Sequence, residues 1–140
     1  MTTTKMDQQQ TYKSLLDAAK QAAKRTYSPY SKYPVGAALL TQDGKVFTGC
    51  NVENASYGGA ICAERTAVVK AVSEGYTRFS AIPVACEKSS NSWPCGICRQ
   101  FMSEFGVDLD VIVERTDGSI ETLTLEKLLP HNFGPGDLPG

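Results

Sequence analysis

The sequence is poor in histidine, with one, and in tryptophan, with one, and it has no surplus of either charge: 14 Lys and Arg stand against 15 Asp and Glu, a net −1 at pH 7. Without a basic field the chain has nothing to hold a polynucleotide backbone or an anionic lipid surface, so small uncharged partners fit better. The lone His131 falls in a tail rich in Pro and Gly, which leaves metal or proton chemistry to other side chains. Apolar runs such as Val35–Leu40 stop far short of the ~18 residues a membrane span needs. The polar opening MTTTKMDQQQTYK lacks the apolar stretch of an export signal, so a cytoplasmic location without membrane partners is expected. No repeat or low-complexity tract is visible.

What is present is a 41% hydrophobic, 140-residue chain, enough for one core without disulfide staples. The five cysteines are an odd number, and a reducing compartment disfavours a disulfide framework. Metal ligation or catalysis is the better use for them.

Residues 1–11, rich in Thr and Gln without periodicity, read as a flexible N-terminal tail before a single domain over 12–140. Apolar residues from Tyr12 to Ala23 recur at helical spacing, and Ser28-Pro29 should end that helix. Val35–Leu40 and Lys45–Val52 flank Asp43-Gly44 and predict a hairpin. Ile61–Glu74, closed by Gly75, predicts a helix. Phe79–Cys86 predicts a strand in which Pro83 implies a bend or an edge position. A short helix over Cys95–Phe105, strands at Asp110–Glu114 and Ser119–Thr124, and a helix over Leu125–Leu129 complete the order. That order predicts an α/β fold, a three-layer α/β/α domain with one mixed sheet of about five strands covered by helices on both faces.

Metal-binding chemistry is concentrated in Cys62-Ala63-Glu64-Arg65 and Pro94-Cys95-Gly96-Ile97-Cys98, each opening a predicted helix. A helix N-terminus lowers the pKa of a cysteine toward the thiolate that binds metal. Three converging sulfurs with an open fourth position suit a catalytic zinc, since a structural site usually closes that position with another Cys or His. Glu64, two residues after Cys62, is placed for general acid and base work beside such a metal. Three thiolates around Zn²⁺ sum to −1, and Arg65 is spaced to donate toward the sulfurs and offset that charge.

The pattern of x-Glu after a Cys, followed by Pro-Cys-x-x-Cys, resembles the zinc nucleobase deaminase signature in its all-cysteine form. The likeness extends to Tyr30-Ser31-Lys32-Tyr33-Pro34-Val35-Gly36-Ala37-Ala38-Leu39, to Gly49-Cys50-Asn51-Val52-Glu53-Asn54-Ala55-Ser56-Tyr57, and to Leu128-Leu129-Pro130-x-x-Phe133-Gly134-Pro135. Together these segments resemble the small, homotetrameric cytidine deaminases from about Ser14 to the C-terminus. The resemblance implies one zinc per chain held by Cys62, Cys95 and Cys98, with Glu64 as proton shuttle. It implies hydrolytic deamination of cytidine and deoxycytidine, a step of pyrimidine salvage. Asn51 and Glu53 match the pair that holds the ribose hydroxyl, inside a substrate loop that includes Val52, Asn54, Ala55, Ser56 and Tyr57, with Ala63 also facing the nucleoside. Tyr33 stands where the family usually has Phe against the pyrimidine, and its added hydroxyl needs a partner or a route to water. Phe133 matches an aromatic that enters a neighbouring subunit's site, and Tyr57 lies in a loop that meets a neighbour.

Rival readings are a deaminase of another aminopyrimidine nucleoside and a thiol-disulfide oxidoreductase built on Cys95-Gly96-Ile97-Cys98. The second leaves Cys62 and Glu64 without a role. A purely structural zinc would need Cys50 or Cys86 as a fourth ligand, and both read instead as buried structural thiols.

Overall fold

The computed structural model describes residues 5–139. Helix α1 spans Lys5–Ala23, the hairpin strands β1 and β2 span Val35–Thr41 and Val46–Cys50, and helix α2 spans Ala63–Ser73. Strand β3 (Phe79–Cys86), helix α3 (Gly96–Ser103), strands β4 (Asp110–Glu114) and β5 (Ile120–Thr124) and helix α4 (Leu125–Leu128) follow. The five strands form one sheet in the order β2-β1-β3-β4-β5. Only β3 and β4 are parallel; the other neighbours are antiparallel, which makes the sheet mixed.

Side chains of the inner strands alternate between two cores, as a period of two requires when both faces are covered. Ala38, Ala81 and Ile112 meet Tyr12, Leu15, Leu16 and Ala19 of α1 on one face. Ala37, Leu39, Ile82 and Val111 meet Ala67, Val68, Cys98 and Met102 of α2 and α3 on the other. Two glycines set how closely the helices approach. A Cβ on Gly36 would lie 1.9 Å from the Ala19 carbonyl oxygen, and one on Gly49 would lie 2.5 Å from the Ala63 carbonyl oxygen. The bare backbone of β1 and β2 thus lets α1 and the first turn of α2 lie directly on the sheet.

Three expectations are corrected. Residues 5–11 are helical, not a flexible tail: the Gln-rich segment holds no Gly or Pro to stop the helix, and Gln8 Nε2 donates to the Tyr12 hydroxyl one turn on. Residues 1–4 lie outside the described residues. The same helix ends at Ala23, five residues before Ser28, because Tyr27 leaves to pair in parallel with Val52, its N–H donating to the Asn51 carbonyl. Pro83 is neither a bend nor an edge residue. It sits in the central strand, opposite Ile112 at the last parallel pair, while the paired positions toward β1 pass from Val84 to Ala81 and skip Ile82 and Pro83, the second of which has no N–H to give.

Candidate metal centre and substrate cleft

Cys62 and Cys95 are the residues immediately before α2 and α3, both extended, so each side chain stands at the positive end of its helix. Cys98 lies in the first turn of α3 and is fully buried. The three Sγ atoms lie within 4.8 Å of one another, with Cys62 and Cys95 3.9 Å apart. No other His, Cys, Asp or Glu among the described residues joins that cluster; Cys50 and Cys86 stand apart, half-buried where buried thiols were expected. Arg65 Nη2 donates to Cys62 Sγ at 3.5 Å. The hydrogen bond from the Cys98 thiol, foremost, and the Arg65 guanidinium pull the Cys62 thiol down to about 5 against the effect of its burial, while Cys98 is driven up in return.

The donor set fits zinc. Three soft sulfurs at tetrahedral-edge spacing repel one another as thiolates unless a cation lies between them, and a neighbouring arginine offsets the remaining charge. A Cys95/Cys98 redox pair would have no use for the third sulfur.

Glu64 follows in the first turn of α2 and is 4% exposed. Burial, foremost, pushes its carboxyl up to about 7, where it can give and take a proton at neutral pH. It borders a cleft of about 370 Å³ that also takes in Cys62, Ala63, Cys95, Tyr33, Asn51 and Glu53. Such a volume suits a small molecule. The cleft thus gathers seven of the residues singled out in the sequence, and five that were not: Ser31, Val35, Val84, Ser92 and Trp93. Ser31 was visible only as part of a motif, and Ser92 and Trp93 lie in a polar loop with no spacing signal.

Asn51 and Glu53, on the cleft wall, are held by the chain segment after α1. Asn51 Oδ1 accepts from Thr26 Oγ1 at 2.5 Å and from Val35 N at 3.0 Å, and its Nδ2 donates to the Tyr33 carbonyl at 2.8 Å. Glu53 Oε1 accepts from the amides of Tyr30 and Ser31 at 3.0 and 3.1 Å, and Oε2 accepts from the Ser31 hydroxyl. That hydroxyl, foremost, and the two amides hold the Glu53 carboxyl below its usual range. Tyr33 is 39% exposed.

Other expected contacts do not border this cleft within one chain. Val52 spends its backbone N–H and carbonyl on Ile61. Asn54 and Tyr57 line a neighbouring hollow with Tyr30, whose ring lies 5.7 Å from that of Tyr57. Ala55 and Ser56 are exposed in the same loop. Phe133 is 57% exposed, its carbonyl accepting from Gln100 Nε2 at 2.8 Å. Arg99 braces the metal loop from behind, donating to the carbonyls of Pro94 and Leu128 at 2.7 and 2.8 Å.

Comparison with known proteins points the same way as the geometry. Residues 9–114 match the model of the cytidine and deoxycytidylate deaminase zinc-binding region. A probable cytidine deaminase of Dictyostelium discoideum is 50% identical over 131 residues, covering 93% of this chain and 88% of that protein. The cytidine deaminase of Sporosarcina psychrophila is 46% identical over 125 residues, 89% of this chain and 92% of that protein. The crystal structure of cytidine deaminase from Burkholderia pseudomallei superposes with a TM-score of 0.82 at 48% identity, covering 87% of this chain and 98% of that one.

Proposed function

The chain belongs to the cytidine and deoxycytidylate deaminase family, and on that footing we propose that it hydrolyses cytidine and deoxycytidine to uridine and deoxyuridine with release of ammonia. The observation that carries the reading is Glu64, buried and poised near neutrality beside three metal-spaced sulfurs at the wall of a nucleoside-sized cleft. Cys62, Cys95 and Cys98 hold one zinc per chain, which supplies a Lewis acid that makes water acidic enough to lose a proton at neutral pH. Glu64 takes that proton and delivers it to N3 of the base as the new C4–O bond forms. It then carries the next proton to the exocyclic nitrogen, the C4–N bond breaks, and ammonia leaves.

Arg65 offsets the charge of the sulfurs. Asn51 and Glu53 hold the ribose hydroxyl and so favour a nucleoside over a free base, since a ligand without the hydroxyl strands buried polar groups. Tyr33 packs on the pyrimidine and Ala63 borders the substrate site, while Val52, Asn54, Ala55 and Ser56 act through the loop that carries Asn51 and Glu53. Phe133 and Tyr57 complete a neighbour's site in a homotetramer, a role supported by their exposure in the single chain. The enzyme works in pyrimidine salvage in the cytoplasm, and among the described residues no helix is long and apolar enough to cross a membrane. The near-neutral charge favours a free nucleoside over a polynucleotide.

Ultraviolet absorbance on mixing protein with cytidine, beside a sample stripped by chelator, tests substrate and metal together. A shift to the spectrum of uridine that disappears on stripping and returns with zinc is the expected result. A zinc-loaded protein that leaves both cytidine and deoxycytidine untouched would refute it and move the search to other aminopyrimidine nucleosides.

A further inference from the structure

We propose that Ser31 positions Glu53 so that the sugar end of the cleft recognises a single hydroxyl, making Ser31 a specificity-determining residue. The inference rests on the nucleoside reading above and follows from counting hydrogen-bond capacity. A carboxylate offers about four acceptor positions. The Tyr30 and Ser31 amides take the two on Glu53 Oε1, and the Ser31 hydroxyl takes one on Oε2. One acceptor position remains.

Asn51 is constrained in the complementary sense. Its Oδ1 is filled by Thr26 Oγ1 and Val35 N, which also fixes which way the amide faces, and one N–H of Nδ2 goes to the Tyr33 carbonyl. One donor remains. One donor from Asn51 and one acceptor on Glu53 are what a hydroxyl, accepting one bond and donating one, can satisfy.

Ser31 is the adjustable part of this arrangement, since the two amides belong to the backbone. Its hydroxyl also accepts from the Tyr33 amide at 3.1 Å, so it couples the carboxylate that meets the sugar to the residue that meets the base. It borders the cleft, and its hydrogen bonds run to Glu53 and Tyr33 and not to Glu64. Without it Glu53 Oε2 gains a second free acceptor and loses its orientation, and the carboxylate no longer distinguishes sharply between a sugar hydroxyl and water.

The test is the steady-state kinetics of cytidine and of 2′,3′-dideoxycytidine, which lacks the 2′ and 3′ hydroxyls, with the wild type, Ser31→Ala and Ser31→Thr. In Ser31→Ala the KM for cytidine should rise about tenfold, the size of one hydrogen bond to a charged group, with kcat nearly kept and dideoxycytidine little affected. The preference for cytidine therefore shrinks about tenfold, and Ser31→Thr restores most of it. Introduced into Glu53→Ala, Ser31→Ala should shrink the preference no further, because the two side chains act as one unit. Parallel losses on both nucleosides, an unchanged preference, or an additive effect in the Glu53→Ala background would overturn the proposal while leaving the deaminase reading intact. A wild type inert toward both nucleosides would overturn that reading and this one with it.

Discussion

Adding a single methyl group at Gly49 tests how the catalytic helix is placed. The new Cβ would stand 2.5 Å from the Ala63 carbonyl oxygen and 2.6 Å from the Ala67 amide nitrogen. Both are backbone atoms of the first turn and a half of α2, so no side-chain rotation relieves the clash, and ordinary contact begins near 3.4 Å. Strand and helix must part by about 1 Å, a misfit of the kind that costs about 1–3 kcal/mol in a packed interior. For a chain of this size that lowers Tm by about 4–12 °C. The helix end that moves carries Cys62 and Glu64, and a displacement of about 1 Å at a reacting centre costs on the order of 10²-fold in rate. Gly49→Ala should therefore melt earlier, bind zinc less tightly and lose about two orders of magnitude in kcat/KM for cytidine. Thermal melts, zinc content after dialysis and initial rates are the readouts. A variant with lowered Tm but unchanged kcat/KM would mean that the edge strand β2 yields and the helix does not, which refutes the claim that Gly49 sets the position of the site.

On the opposite face, Gly36→Ala should destabilise more severely than Gly49→Ala, because its Cβ would stand 1.9 Å from Ala19 O; equal melting temperatures would contradict this. Glu64→Gln should keep its zinc yet lose more than the ~10² to 10⁴ of a single proton-transfer contact, since one side chain serves several transfers; near-normal turnover with zinc bound would remove Glu64 from the mechanism. Stripping zinc should abolish deamination and lower Tm, both restored by adding zinc back, and full activity in a sample shown by elemental analysis to be metal-free would defeat the metal assignment. The carboxyl of Glu53 is held below its ordinary 4.5, so its ionised form is favoured in the fold, and that contribution, present above 4.5, is lost as pH falls through the lowered value. KM for cytidine should accordingly stay flat from neutrality down to about pH 5, and Ser31→Ala should begin to weaken at higher pH than the wild type; identical profiles would speak against the Ser31 contact.

The elements that are legible in the sequence are those whose signals are local. Phe79–Cys86 is a strand with the bounds its β-forming residues predict, and α2 stops before Gly75, whose φ of +97° suits a glycine. The metal ligands are legible because thiol chemistry dictates their spacing, and the helix starts that carry Cys62 and Cys95 are set by local pattern. What is hidden depends on contacts far apart along the chain. Pro83 argued for an edge, but β1 and β4 close around it from both sides, and no local reading shows that. Gly36 and Gly49 look like ordinary strand glycines until two helices are laid on them. Ser31 and Trp93 join the cleft only because the segment after α1 and the loop before α3 meet at one end of the sheet.

Cys62 and Cys95 are 33 residues apart, and the whole of α2 and β3 lies between them. A tie across a loop of that length removes from the unfolded chain an entropy worth about 4 kcal/mol when the tie is covalent, and a thiolate-held ion restrains the chain in the same sense. The segment that contains the central strand is therefore closed at both ends by residues placed to hold one ion. Taking the ion away releases one long segment of backbone, so amide exchange across α2, β3 and the start of α3 should quicken together while α1, on the far face of the sheet, keeps its protection.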